Sequence, residues 1–272
     1  MEVAGDVSSQ FLSGLMLSGP CMRKGLVVEL TTGLVSRPYV EMTAAVMRSF
    51  GAEVEVGDKV VSVRAGGYRP VERYVVEPDA SAASYWFALA AVTGGRVRVE
   101  GLGSGSSQGD LRFADLLAQM GAAVEITRTH TEVRGTGVLH GIDVDMADCS
   151  DTAQTLAAVA AYADGPTRVS GIGFIRGKET DRVAAVVTEL QRLGVGASED
   201  ADGFTVHPGR PRGGVVQTYD DHRMAMSFAV LAAGADPSDP VQVADPGCVA
   251  KTYPGFWEDL AQVRGTAGGP GA

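Results

Sequence analysis

One pattern recurs along the chain four times, and it limits the fold more than any other feature. At intervals of about seventy residues a short β-type run feeds a helix, a second run feeds a second helix, and a hairpin-like pair usually follows. A lone βαβαββ unit of this kind cannot bury both faces of its sheet and helices. Copies therefore pack against one another around a common core, and the alternating order predicts an α/β architecture with helices covering sheets.

The second unit is the clearest. Tyr74-Val75-Val76 reads as a strand, Asp79 caps a helix bearing Ala82, Ala83, Trp86, Phe87, Leu89 and Ala90 on its apolar face, and Val97-Arg98-Val99 alternates as a strand. An amphipathic helix from Asp110 to Met120 stops at Gly121, and residues 124–126 and 132–133 pair as a hairpin. The third unit repeats this order, with helices expected from Asp151 to about Ala163 and from about Glu179 to Leu193. In the first unit helices span Ser9 to Ser18 and roughly Pro38 to Phe50, with Gly51 as the stop. The fourth has helices from Asp221 to Ala232 and near Thr252 to Val263, and no closing hairpin.

Arg69 to Val71, with Pro70, reads as a linker. The expected domains are 1–70 with one unit and 71–264 with three, followed by a Gly-rich flexible tail at 265–272. A first strand starting at Met1 and a fourth unit without its hairpin lead to the expectation that an N-terminal portion of the first domain is missing.

The 272 residues, 45% of them apolar, support a large core. A net charge of -10 argues against a nucleic-acid surface but not against an anionic ligand, because a cationic cleft can sit in an acidic protein. Cys21, Cys149 and Cys248 are few and far apart, as expected of a reduced, cytoplasmic compartment. The apolar stretches are shorter than a membrane span, and nothing at the start reads as a signal peptide. The four histidines show no metal-ligand spacing, there is no Walker lysine, and Gly101-Leu102-Gly103-Ser104-Gly105 lacks the dinucleotide spacing.

The unusual polar residues gather where helices are expected to begin: Ser8-Ser9-Gln10, Ser36-Arg37, Asp151, Lys178-Glu179-Arg182, His222-Arg223 and Lys251. Unpaired N–H groups and partial positive charge make such ends suited to phosphate and carboxylate. Lys178 and Arg182, at i and i+4, share one face of the expected helix, with Glu179 to one side. Cations there oppose the macrodipole, as do His222, Arg223 and Lys251, and a bound anion would remove the conflict. Each residue also has a plainer reading, as a solvated first turn, a cap or packing. Asp151 is either an N-cap or, from its place in the repeat, a carboxylate base; Tyr39 is either packing or an aromatic face for a ligand. Together they describe a pocket for a strongly anionic substrate pair.

The motifs Ser8-Ser9-Gln10-Phe11, Asp79-Ala80-Ser81-Ala82-Ala83-Ser84-Tyr85, Gln108-Gly109-Asp110, Lys178-Glu179-Thr180-Asp181-Arg182, Asp221-His222-Arg223-Met224-Ala225-Met226 and Lys251-Thr252-Tyr253-Pro254 resemble, in order, the 5-enolpyruvylshikimate-3-phosphate synthase family. The resemblance implies an enolpyruvyl transferase fold, a two-domain inside-out α/β barrel of βαβαββ units, with the first domain incomplete here. It implies transfer of the enolpyruvyl group of phosphoenolpyruvate to the 5-hydroxyl of shikimate 3-phosphate, on the route to chorismate and the aromatic amino acids. It implies no metal or organic cofactor, no nucleic-acid or membrane partner, and a cytoplasmic enzyme that is monomeric at full length.

Residue by residue, the resemblance assigns Ser8, Ser9, Gln10, Ser36, Tyr39, Asp151 and Lys178 to the shikimate 3-phosphate site. Gln10, Arg182, His222, Arg223 and Lys251 fall to the phosphoenolpyruvate site. Asp151 is implied as the base for the 5-hydroxyl and Glu179 as the donor to the phosphoenolpyruvate methylene. Phe174 stands where the family often has Asn, and the family's N-terminal Lys-Ser…Arg motif, Asn-Ala-Gly-Thr loop and a further arginine have no counterpart. Those departures leave a second reading, a non-catalytic remnant that at most binds phosphorylated ligand. A third is the sister transferase acting on UDP-N-acetylglucosamine, which the shikimate-type motifs disfavour.

Overall fold

The computed structural model describes residues 1–266. The first unit runs β1 (Glu2–Val3), α1 (Ser9–Ser18), β2 (Leu26–Leu30), α2 (Arg37–Ser49), β3 (Val54–Val56) and β4 (Val60–Val63). Its sheet has the order β1-β2-β4-β3, with β1 parallel to β2 and the other pairs antiparallel. The β2 side chains alternate buried and exposed, as a strand with one covered face must. Gly51 ends the turn after α2 at φ +79°, in the left-handed region glycine enters at least cost.

The second unit holds α3 (Ala80–Thr93), β5 (Arg96–Glu100), α4 (Arg112–Gln119), β6 (Ala123–Ile126) and β7 (His130–Arg134), in the sheet order β5-β7-β6. The third holds β8 (Asp143–Asp145), α5 (Ala153–Ala160), β9 (Thr167–Ser170), α6 (Arg182–Arg192), β10 (Ala197–Glu199) and β11 (Phe204–Val206). Its order β10-β11-β9-β8 reproduces that of the first unit, again with the first two strands parallel. The fourth comprises β12 (Gly214–Val216), α7 (His222–Gly234), β13 (Val241–Val243) and α8 (Phe256–Thr266), with β12 parallel to β13. The sheets of the first and third units are mixed, that of the second is antiparallel, and no barrel closes among the described residues.

Two buried apolar clusters form. The smaller draws on Leu12, Met16, Val28, Val40, Ala44, Met47 and Val61, all within the first unit. The larger draws on residues from Ala80 to Leu260 and is centred on α3, α5 and α7. These three helices are apolar on nearly every side, as expected of helices surrounded by others. At their shared centre Thr155 bridges Ser84 at 3.4 Å and Ser227 at 3.2 Å through hydroxyl hydrogen bonds. The spacings of 71 and 72 residues show that equivalent turns of successive units meet there.

Several expectations need correction. Tyr74-Val75-Val76 forms no strand: Val75 and Val76 are 73% and 80% exposed, and the Tyr74 ring lies against Phe50 with centroids 5.1 Å apart. A β-branched run becomes a strand by packing on neighbours, and this one has no paired strand beside it. α6 begins at Arg182 instead of Glu179, because Asp181 is the residue that caps it, accepting from the Ala184 backbone N–H at 3.0 Å. α5 begins at Ala153, and Asp151 lies in a 3-10 stretch, Ala147–Thr152, where it caps nothing. α8 begins at Phe256 and reaches Thr266, into the tail expected from residue 265; residues 267–272 lie outside the described residues.

Candidate active site

Where the two clusters face each other, two adjoining cavities open. One, of about 370 Å³, is lined by residues that include Ser8, Gln10, Glu179, Arg182, His222, Arg223 and Lys251. The other, of about 220 Å³, takes in Ser9, Ser36 and Tyr39. Gln10, Asp151 and Lys178 line both. Every site residue expected from sequence therefore reaches this one cleft, although they come from three of the four repeat units. A hollow of about 480 Å³ at the far ends of α3 and α5 is lined mainly by small and apolar side chains, with Arg210 its charged member.

Helix starts deliver many of these groups. Ser8 is the N-cap of α1, its hydroxyl accepting from the Gln10 N–H at 3.3 Å. Ser36 precedes α2 at φ +53° and its hydroxyl caps nothing, so a buried hydroxyl stays directed to other uses. Ahead of α7 the chain turns sharply, with Tyr219 and Asp220 both at φ +56°. The buried Glu189 carboxylate holds that turn, accepting from Tyr219 Oη at 2.6 Å and the Gln217 N–H at 3.0 Å. The turn delivers Asp221, His222 and Arg223 to the cleft.

Arg182 is sealed from solvent and surrounded by acids. Its Nε donates to Asp221 Oδ2 at 2.7 Å, Nη1 to Asp151 Oδ1 at 3.2 Å and Nη2 to Glu179 Oε2 at 2.7 Å. Arg223 donates to Asp151 Oδ2 at 2.6 Å and to the buried Tyr85 hydroxyl at 3.4 Å. Lys251 pairs with Glu179 Oε1. Lys178, at the junction of both cavities, has no carboxylate partner among the described residues.

These contacts change the dipole argument. Lys178 and Glu179 precede α6 and so do not share a helical face with Arg182, and Lys251 stands five residues before α8. The charge conflict at Arg182 is answered by carboxylates of the protein itself. His222 brings no cation at all: burial, with Arg223 and Arg182 nearby, lowers its pKa to about 4 despite Asp221.

Both acids at the centre of the cleft are held in their ionised form. Burial pushes the Asp151 carboxyl up, but Arg223 and Arg182 outweigh it and leave the group below the usual range. Glu179 drops to about 2, because Lys251 and Arg182 overcome its partial burial. Asp151 is thus an ionised acceptor fixed between two guanidinium groups, and Glu179 in this arrangement is an ion without a proton to give.

Sequence reasoning missed Ser13, Met42, Thr43 and Ser150, which line the second cavity, and Tyr85 behind Arg223. Helical spacing contained part of that signal. Ser13 lies one turn beyond Ser9 and Thr43 one turn beyond Tyr39, and their hydroxyls meet at 2.8 Å.

Residues 1–260 match the family model described as EPSP synthase (3-phosphoshikimate 1-carboxyvinyltransferase). A 3-phosphoshikimate 1-carboxyvinyltransferase of Nostoc punctiforme is 45% identical over 257 residues, 94% of this chain and 60% of the relative. One of Cupriavidus necator is 44% identical over 277 residues, 97% of this chain and 63% of the relative. The solved EPSP synthase of Acinetobacter baumannii superposes with a TM-score of 0.78 at 26% identity, covering 96% of this chain and 62% of that one. The chain thus spans about 60% of the length of the curated relatives it matches.

Proposed function

The chain belongs to the EPSP synthase family, and from that premise we propose that its cleft serves the transfer of an enolpyruvyl group from phosphoenolpyruvate to the 5-hydroxyl of shikimate 3-phosphate. The observation that carries this reading is the convergence of Ser8, Ser9, Gln10, Ser36, Tyr39, Asp151 and Lys178 with Arg182, His222, Arg223 and Lys251 on two cavities sharing three lining residues. The smaller cavity, with Ser9, Ser36, Tyr39 and Lys178, takes shikimate 3-phosphate; the larger, with Arg182, Arg223 and Lys251, takes phosphoenolpyruvate. His222, neutral and with its Nδ1 buried and unpartnered, serves the latter as a polar contact and not as a charge.

In this reading protonation of the methylene makes C2 of phosphoenolpyruvate electrophilic. The 5-hydroxyl adds to C2 as its proton passes to Asp151, and the tetrahedral adduct then loses phosphate and a methyl proton. Arg182, Arg223 and Lys251 stabilise the phosphate and carboxylate, and such fixed donors gain strength in a dry cleft. Glu179 now bridges Lys251 and Arg182, the two cations the ligand needs. Ligand anions that take those cations over free Glu179, and its carboxyl rises toward the ordinary range, where it can carry the proton.

We divide the molecule into domains near residue 70, a reading supported by the two separate apolar clusters. We expect a cytoplasmic enzyme, monomeric at full length, working without metal or organic cofactor; among the described residues no helix is long and apolar enough to cross a membrane. Because the chain spans about 60% of its relatives, we read it as binding shikimate 3-phosphate while turning over little without the remaining portion. The same coverage favours the second reading, a binding fragment without activity. A phosphate-release assay on the 272-residue chain, with and without the N-terminal portion of a relative, separates them. Turnover restored by that portion supports the transferase; none in either case, with shikimate 3-phosphate still bound, supports the fragment.

A further inference from the structure

The motif Gln108-Gly109-Asp110 has no part in the proposed substrate sites, yet it stands where the two clusters meet. Gln108 Oε1 accepts from the Ala80 N–H at 2.7 Å and Nε2 donates to the Pro78 carbonyl at 2.8 Å, which fixes the entry to α3. A Cβ on Gly109 would lie 2.6 Å from the Asp148 carbonyl oxygen and 2.6 Å from Pro38 Cβ, so only glycine lets the start of α2 approach this closely. Asp110, 5% exposed, then meets Tyr39, whose hydroxyl stands 2.9 Å from each carboxylate oxygen. Tyr39 belongs to the first unit and Asp110 to the second, so this hydrogen bond joins the two bodies that form the cleft.

We propose that Asp110 is a positioning residue, which latches α2 to the larger body and holds the Tyr39 ring as a wall of the shikimate 3-phosphate cavity. The ligand's identity rests on the function proposed above; the latch does not. With its hydroxyl occupied by Asp110, Tyr39 offers a ligand its ring face. The groups around Asp110 are Tyr39 on α2, Asp79 at the cap of α3, Cys149 and Asp151 in the stretch before α5, and Arg223 on α7. Burial, with Asp151 next, pushes the Asp110 carboxyl up to about 7 against the pull of Arg223 and the Tyr39 hydroxyl. A carboxyl raised on folding favours the folded state fully below the unfolded value and loses that contribution as pH rises through about 7.

The test uses this chain with Tyr39→Phe, Asp110→Asn and both together. Thermal unfolding is followed at pH 5.5 and 8, and shikimate 3-phosphate binding by titration calorimetry. Each single change is expected to weaken binding roughly tenfold, and the pair no more than the worse single, since both remove one bond. Asp110→Asn should also remove part of the fall in unfolding midpoint between the two pH values. Additive losses, unchanged affinity in both singles, or a pH response indifferent to Asp110 would overturn the proposal. If the unsubstituted chain fails to bind shikimate 3-phosphate, the functional reading fails with the ligand role. The unfolding cycle then decides the latch alone, for coupling and against additivity.

Discussion

Arg182 and Asp221 meet at 2.7 Å with 2% and 0% of their side chains exposed. Asp221 also caps α7 through the Arg223 N–H at 2.8 Å, while Arg182 opens α6, so one carboxylate ties two helix starts together. A pair this deep gains little over apolar packing, but removing Asp221 takes the nearest fully buried carboxylate from Arg182, leaving Asp151 and Glu179, and also uncaps α7. Asp221→Ala is therefore expected to destabilise the chain by about 3–5 kcal/mol, read from urea unfolding. A loss below about 1 kcal/mol would mean that Asp151 and Glu179 suffice to hold the Arg182 charge.

Asp151 sits between Arg182 and Arg223, and both keep it ionised. In full-length protein Asp151→Asn is expected to bind both substrates yet turn over at least about a hundredfold slower. Steady-state kinetics checks this, and near-normal turnover removes Asp151 from the role of base.

Glu179 bridges Lys251 and Arg182, the two cations proposed to hold the ligand. Glu179→Gln is expected to tighten inorganic phosphate binding to this chain several-fold while slowing turnover in the full-length enzyme. Calorimetry in phosphate titrations reads the first effect. A carboxyl lowered to about 2 contributes stability that is present above its ordinary range near 4.5 and is lost as pH falls through about 2. Glu179→Gln should remove part of that acid sensitivity.

His222 is buried and neutral at pH 7, with a pKa lowered to about 4. Its contribution to stability is full above about 6.5 and fades as pH falls through 4, because the unfolded chain takes up the proton first. NMR of the imidazole resonances should show no titration between pH 5.5 and 8. A midpoint near 6.5 would mean that the ring is solvated.

Thr155 links Ser84 and Ser227 at the centre of the larger body. Thr155→Val keeps the shape but removes the shared hydroxyl, leaving Ser227 without that partner. A loss of about 1–3 kcal/mol is expected from denaturant unfolding.

Much of this was readable from local chemistry. Asp79, Asp221 and Ser8 announce helix starts because a short oxygen-bearing side chain satisfies N–H groups a turn away. The alternation in Leu26–Leu30 announces a strand with one covered face, and the seventy-residue rhythm announces the repeat. Part of the membership of the cleft was legible too, since repeated units bring helix starts to one end, although Asp151, Lys178, Glu179 and Lys251 stand in the stretches ahead of their helices.

Pairings across the chain were not. Nothing near Arg182 in sequence says that Asp151, 31 residues before it, and Asp221, 39 after it, will hold its guanidinium, so a bound anion looked necessary where carboxylates suffice. Nothing near His222 says that burial will discharge it. Tyr74-Val75-Val76 has the composition of a strand and lacks only a neighbour. Sequence fixes what each residue can donate, accept or bury within a few turns. Which charges neutralise each other, and which groups lose their water, depend on distances that exist only after the units have packed.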